Sequence, residues 1–188
     1  MIGNWEILKD ELNQLKACGE DVFIHNNVLI KRPHLVSVGS HVAIDAGFYC
    51  TVGAEIGDYI HIAPYVSIIG GASGFIKISN FATIAAGSRL ICGGDEHGGT
   101  GLVGPTIPDE YRDRVIIEPI ILEAFANVAT NAVIMPGVTL REGSVVGACS
   151  LVLHDTEPWT IYVGVPAKPL RVRPREKMLE AARKLGYQ

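Results

Sequence analysis

The run CGGDEHGGTGLVGPTIPDEYRDRV, Cys92 to Val115, sets one histidine, His97, among glycines and directly after two acids, Asp95 and Glu96. Imidazole has an ordinary pKa of about 6.5, which suits it to accept a proton near neutral pH. Asp95 or Glu96 could orient that ring or raise its basicity. At the far end of the run, Tyr111, Arg112 and Arg114 supply hydrogen-bond donors and positive charge that suit a polar or anionic group. The plain alternative is an exposed loop histidine beside solvated acids, with YRDR an ordinary charged surface string. A second histidine, His61, immediately precedes an apolar position that should face inward, so strand alternation turns it outward onto a face. Asp45 and Asp58 fall at turn positions, where aspartate commonly bonds its own backbone.

These groups must be held by something, and the chain supplies a repeat. Val38, Ile44, Cys50, Ile56, Ile62 and Ile68 stand six residues apart; the beat returns at Ile78, Ile84 and Leu90, then from Leu122 through Val128, Ile134, Leu140 and Val146 to Val152. A second, mostly small residue follows at four-residue distance, as at Val42, Ala54, Val66, Ala82, Ala126 and Ala132. Neither helical spacing nor strict alternation accounts for a beat of six. Short strands joined by turns do: the chain turns a corner at every beat, and each coil buries its apolar ladder against the next. The expectation is an all-β fold, a parallel β-helix of hexapeptide repeats over residues 22–168, with Gly57, Gly70, Gly137, Gly143 and Gly147 supplying tight-turn conformations. The beat is broken at Gly71 to Phe75 and by a long excursion over 91–115, a length that in a compact repeat is functional or disordered.

Flanking elements follow from local signals. Trp5, Leu8, Leu12 and Leu15 keep helical spacing between a cap at Asn4 and a stop at Gly19, which predicts a helix over 5–18. Pro174 opens a second helix over 174–186, with Met178, Ala182 and Leu185 on one face and Gly186 ending it. Residues 1–188 read as a single domain.

Composition agrees with a stacked β core: 48% of residues are hydrophobic and 19% charged. The net charge of -4 gives no global field for nucleic acid. No stretch of about 18 apolar residues could span a membrane, and no leader pattern is visible, so the protein is expected in the cytoplasm. Cys18, Cys50, Cys92 and Cys149 lack paired-ligand spacing and read as reduced, structural thiols, with Cys50 on a core beat. Seven of the sixteen basic residues fall in the last 21 positions, including Lys168, Arg171 and Arg173. They make either a solvated helix face or a phosphate-facing patch.

Pro119 to Arg171 (PIILEAFANVATNAVIMPGVTLREGSVVGACSLVLHDTEPWTIYVGVPAKPLR) carries the MPGVT turn, the GACSLV segment and the closing VGVPAKPLR. In that order and spacing it resembles the C-terminal coils of the hexapeptide-repeat acyltransferases, especially the galactoside, maltose and xenobiotic O-acetyltransferases and the sugar acetyltransferases of bacterial surface-polysaccharide pathways. The resemblance extends loosely back to Val22. Upstream, IGDYIHIAPYVSIIGG, Ile56 to Gly71, is similar to a segment of the nucleotide-amino-sugar acetyltransferases. The resemblance implies a left-handed β-helix, a homotrimer with sites between subunits, and acetyl transfer from acetyl-coenzyme A to a hydroxyl or amine of a sugar or nucleotide-linked sugar.

Such a transfer needs a base for the acceptor proton, a donor for the developing oxyanion and a hold on coenzyme A. His97 falls where the sugar O-acetyltransferases carry their catalytic histidine, although this chain has extra residues there and lacks the proline that usually follows. His61 matches a histidine that helps to bind cofactor or substrate in the amino-sugar enzymes, whose base lies where this chain has Val52. The resemblance puts backbone near Thr130 and Ala148 along the pantetheine arm and Lys168 and Arg171 near the phosphates, while the usual Thr-Lys is replaced by Leu153-His154. Asp95, Tyr111 and Arg112 are the candidates for the acceptor. Two alternatives share the coil: a γ-type carbonic anhydrase, disfavoured because the six histidines include no closely spaced downstream pair, and a non-catalytic scaffold. No metal is expected.

Overall fold

A computed structural model describes residues 14–187. Each hexad contributes a strand of only two to four residues followed by a corner, and the strands assemble into three parallel faces. The first face runs Ala17–Cys18, Val36–Val38, Gly53–Ile56, Phe75–Ile78, Ile120–Leu122 and Thr139–Leu140. The second runs from Val22–Ile24 through Val42–Ile44, His61–Ile62, Thr83–Ile84 and Asn127–Val128 to Val145–Val146, where a closing hairpin, Thr160–Gly164 and Ala167–Val172, is added. The third begins at Leu29–Ile30 and ends at Leu151–Val152. Ile44 pairs with Ile62, so three hexads complete one coil.

The core is the ladder itself. Every six-beat position from Val38 to Val152 is at most 4% exposed, and so are the small residues four places on. Each fully buried isoleucine or leucine removes about 1.5–3 kcal/mol of apolar surface cost from water. Stacked strands satisfy their backbone groups on the coils above and below, which permits so many short strands without helices to cover them.

Two expectations need correction. The helix over 5–18 falls largely outside the described residues, but its last turn is not helical: Ala17 and Cys18 pair in parallel with Ser37 and Val38, so ladder bonding overrides helical spacing there and the β-helix begins before residue 22. The excursion starts and ends later than 91–115, because Ile91 still pairs with Ile69 and Gly93–Asp95 pairs antiparallel with Val115–Ile117. The C-terminal helix, α1, spans Glu176–Lys184, inside the expected 174–186.

The corners also differ from expectation. Gly137 and Gly143 do adopt positive φ, but Gly57 and Gly147 do not; they are glycines because a Cβ would meet Asn80 or Val163 on the next coil. Several left-handed corners instead carry large side chains three residues before an inward position: His41, Tyr59, Phe81 and Phe125 on the edge between the first two faces. Their rings stack at 4.5, 5.3 and 5.0 Å between centroids, and Trp159 closes the column at 5.7 Å from Phe125. A left-handed non-glycine residue costs about 1–2 kcal/mol. Each ring pair returns about 0.5–1.5 kcal/mol beyond burial, so the column offsets part of its own strain. Tyr187 meets Tyr59 and Phe81 edge-on and donates its hydroxyl to Asp58 at 2.9 Å, which fixes the C-terminal segment along this edge.

Candidate active site

The excursion is an arm that leaves the third face after Ile91 and rejoins the first at Ile120. Its two strands carry a tip, residues 96–114, with one short turn of 3-10 helix at Asp109–Tyr111. His97 stands at the start of the tip, exposed, with a left-handed φ of 58°. Glu96 just before it is tied to the return limb, its N–H donating to the Arg114 carbonyl at 2.8 Å.

Asp95 does not turn to the imidazole. Its carboxylate accepts from Arg112 Nε at 2.8 Å and from the Gly104 N–H at 3.2 Å, so Asp95 and Arg112 form a half-buried pair that braces the tip. Tyr111 is exposed beside them. The string YRDR is not uniformly solvated: Asp113 is only 3% exposed. It accepts the Thr100 hydroxyl and the amides of Gly99 at 3.1 Å and Arg114 at 2.8 Å, which hold its carboxyl below the usual carboxylate range despite burial. Its only sequence signal was a set of donors, Gly98 to Thr100, placed fourteen residues earlier and visible only after folding.

His61 lies on the second face and shares a 2.8 Å hydrogen bond between its Nε2 and Asp45 Oδ2, with half of its side chain exposed. Asp45 thus reaches the next coil rather than its own backbone, and Asp58 reaches the preceding one, accepting the Ser40 N–H at 2.7 Å. A carboxylate on one ring nitrogen fixes the tautomer and the direction in which the other nitrogen points.

Thr130 and Ala148 are brought together on the edge between the second and third faces, where the Cys149 N–H donates to the Thr130 carbonyl and the Asn131 N–H to that of Ala86. Thr130, Asn131, Ala148 and Cys149 are exposed along this edge, and Ala86 on the coil before is half-buried. Lys168 lines a pocket of about 320 Å³ with His154, Asp155, Tyr162 and Pro166 at the end of the third face; Arg171, exposed on the same strand, does not line it. Arg173, grouped with these cations in the sequence, is engaged inside the fold. All four cysteines are free thiols; Cys50 and Cys92 are buried and pushed up to about 11 and about 12, whereas Cys18 and Cys149 are exposed. Among the described residues no group of three or more histidine, cysteine, aspartate or glutamate side chains is placed to hold a metal ion, and no helix is long and apolar enough to cross a membrane.

No family model matches the chain. It is 33% identical over 170 residues to the dTDP-4-amino-4,6-dideoxy-D-glucose acyltransferase of Escherichia coli, across 88% of this chain and 85% of that protein. The chain belongs to the hexapeptide-repeat acyltransferases. The N-acyltransferase AntD of Bacillus cereus, solved with dTDP and 3-hydroxybutyryl-CoA, superposes with a TM-score of 0.91 at 32% identity, covering 97% of both chains. An AntD variant solved with dTDP-4-amino-4,6-dideoxyglucose and coenzyme A gives the same TM-score at 33% identity, covering 97% of this chain and 98% of that one. A hexapeptide-repeat acetyltransferase of Vibrio cholerae shares the fold alone, with a TM-score of 0.58 at 20% identity over 87% of this chain and 74% of that one.

This acyltransferase is therefore a left-handed parallel β-helix, as the resemblance implied. The comparisons lend no support to the carbonic-anhydrase or scaffold alternatives. In the acyltransferase, sequence reasoning placed the arm and both histidines but missed the bracing roles of Asp113, Arg112 and Arg173, because each depends on partners set by the fold rather than by spacing.

Proposed function

We propose that this acyltransferase moves an acyl group, acetyl or a close homologue, from a coenzyme A thioester to the amino group of a nucleotide-linked amino sugar. The observation that carries the reading is likeness along nearly the whole chain to an enzyme named for a dTDP-amino sugar, and to a structure solved with that class of ligand and coenzyme A. The working form is a cytoplasmic homotrimer serving surface-polysaccharide synthesis, with the arm of one subunit reaching toward its neighbour.

His97 is the general base. The neutral amine attacks the thioester carbonyl; the new C–N bond forms and the C–S bond breaks. The electron pair leaves on sulfur, and the nitrogen proton passes to the imidazole and on to the thiolate. The edge at Thr130 and Ala148 suits the extended thiol arm, and Lys168 and Arg171 suit its phosphates. Arg112 and Tyr111 on the arm suit the acceptor, with Arg112 held by Asp95. A second reading makes His61 the base, favoured by its bond to Asp45.

The test is thiol release from acetyl-CoA or 3-hydroxybutyryl-CoA with dTDP-4-amino-4,6-dideoxyglucose as acceptor. Release that depends on the amino sugar is expected; release only with sugars lacking an amine would overturn the acceptor class. His97→Ala should lower turnover by about 10²-fold or more. Full activity in that variant with loss in His61→Ala would move the base to His61. Mass measurement in solution checks the trimer.

A further inference from the structure

His97 is followed by two glycines, the residues that lose most conformational freedom on ordering. A base on such a loop would sample many directions unless something anchored the segment just after it. The fold provides that anchor. Asp113, on the return limb, accepts the Gly99 N–H at 3.1 Å and the Thr100 hydroxyl, and the Gly98 amide also faces it. These are the three residues next after His97. The anchor is itself fixed: the Asp113 N–H donates to the Leu102 carbonyl at 2.9 Å, and its carboxylate also takes the Arg114 N–H at 2.8 Å. Gly101 completes the clasp, since a Cβ there would lie 2.5 Å from the Asp113 nitrogen.

The chemistry is specific to a carboxylate. None of the ion pairs among the described residues includes Asp113, so its charge is balanced by N–H and O–H donors alone. A buried carboxylate costs several kcal/mol unless its oxygens are fully hydrogen-bonded. An asparagine would turn an NH2 toward donors. Asp95 braces the other half of the tip through Arg112 and Gly104, and Glu96 is tied to Arg114 just before the histidine, which leaves Asp113 as the group that holds the segment just after His97.

We propose that Asp113 is a positioning residue for the transfer: by clasping Gly98, Gly99 and Thr100 it sets the direction in which His97 presents its imidazole to the acceptor nitrogen. The proposal rests on the reading of His97 as base. Asp113 touches neither substrate; it acts through the histidine loop.

The test compares Asp113→Asn, Thr100→Ala, Thr100→Ser, His97→Ala and the double variant His97→Ala/Asp113→Asn in the thiol-release assay. Misplacing a catalytic group by an ångström costs up to about 10²-fold, so Asp113→Asn should lower kcat by about 10-fold or more while KM for the acyl-CoA stays within about twofold. Thr100→Ala should lose a smaller part of the same kcat, and Thr100→Ser should restore it. The double variant should be no slower than His97→Ala alone, because a loop without its base gains nothing from being aimed; a general structural role would instead make the losses multiply. Multiplying losses, or wild-type kcat in both Asp113→Asn and Thr100→Ala beside a slow His97→Ala, overturn the positioning role and leave the base intact. Wild-type kcat in His97→Ala overturns both. Should Asp113→Asn fail to fold, the Thr100 pair decides in the same terms.

Discussion

Arg173 and Asn127, 46 residues apart, meet at 2.8 Å, the guanidinium Nη2 donating to the side-chain carbonyl. Nη1 of the same guanidinium donates to the backbone carbonyls of Phe125 at 2.9 Å and Gly143 at 3.0 Å, so one side chain binds the segment before α1 to two coils. Arg173→Ala strands these acceptors and should lower unfolding stability by about 2–3 kcal/mol. Lysine recovers little of it, since a single ammonium cannot match a planar fork. Denaturant titration and proteolysis at α1 check this; unchanged midpoints in the alanine variant would remove Arg173 from the fold's support.

Gly143 occupies the corner of the aromatic edge between Phe125 and Trp159, where the ring is withheld. A Cβ there would run into the indole of Trp159, which lies across the gap, and φ is +63°. Gly143→Ala should cost about 2–4 kcal/mol from overpacking and left-handed strain together. Trp159 fluorescence reports the same event, and a native emission spectrum in a stable variant would contradict it.

Asp113 makes the arm acid-sensitive. Hydrogen bonds, first from Thr100 and then from the Arg114 amide, depress its folded pKa below the unfolded value of about 3.9. A depressed carboxylate contributes stability that is present above the unfolded pKa and lost as pH falls through the folded one. Amide exchange at Gly99 and Arg114 should therefore accelerate below about pH 4 in the wild type, beyond the chemical trend. In Asp113→Asn it should be fast at every pH. Identical pH profiles for the two proteins would rule the carboxylate out as the cause.

Ser144 is inward-facing, and its hydroxyl has no partner among the described residues, unlike Ser88, which donates to the Ala129 carbonyl at 2.9 Å. An unmade hydrogen bond in the core costs about 1–3 kcal/mol. Ser144→Ala should be neutral to stabilising by about 1 kcal/mol, whereas Ser88→Ala should destabilise. Thermal unfolding of the pair settles the contrast.

The inward ladder was readable because burial at one position per strand leaves a compositional trace at a fixed interval: Ile62, Ile84 and Val128 announce themselves without knowledge of their neighbours. The corner aromatics leave an equally regular trace, three residues earlier at Tyr59, Phe81 and Phe125, but a large ring at a left-handed position runs against the usual glycine rule, so the trace does not by itself signal a corner. Ala17 and Cys18 were lost to a helical pattern because two residues carry too little signal to outweigh Trp5, Leu8, Leu12 and Leu15. Within the candidate site, His97 and His61 could be named from residue type and resemblance. The partners of Asp95, Asp45 and Asp113 could not, since each hydrogen bond joins segments that only coiling or the arm's hairpin brings together.

The arm interrupts nothing beneath it. Ile76 pairs with Ile120 and Leu90 with Ile134 as though the intervening excursion did not exist. Length can therefore be added or removed at that junction without altering the winding on either side, while shortening a coil by a single hexad would rotate every later residue onto a different wall. Change in length is thus admitted by geometry at such doorways, and the rest of the staircase must be inherited in whole flights.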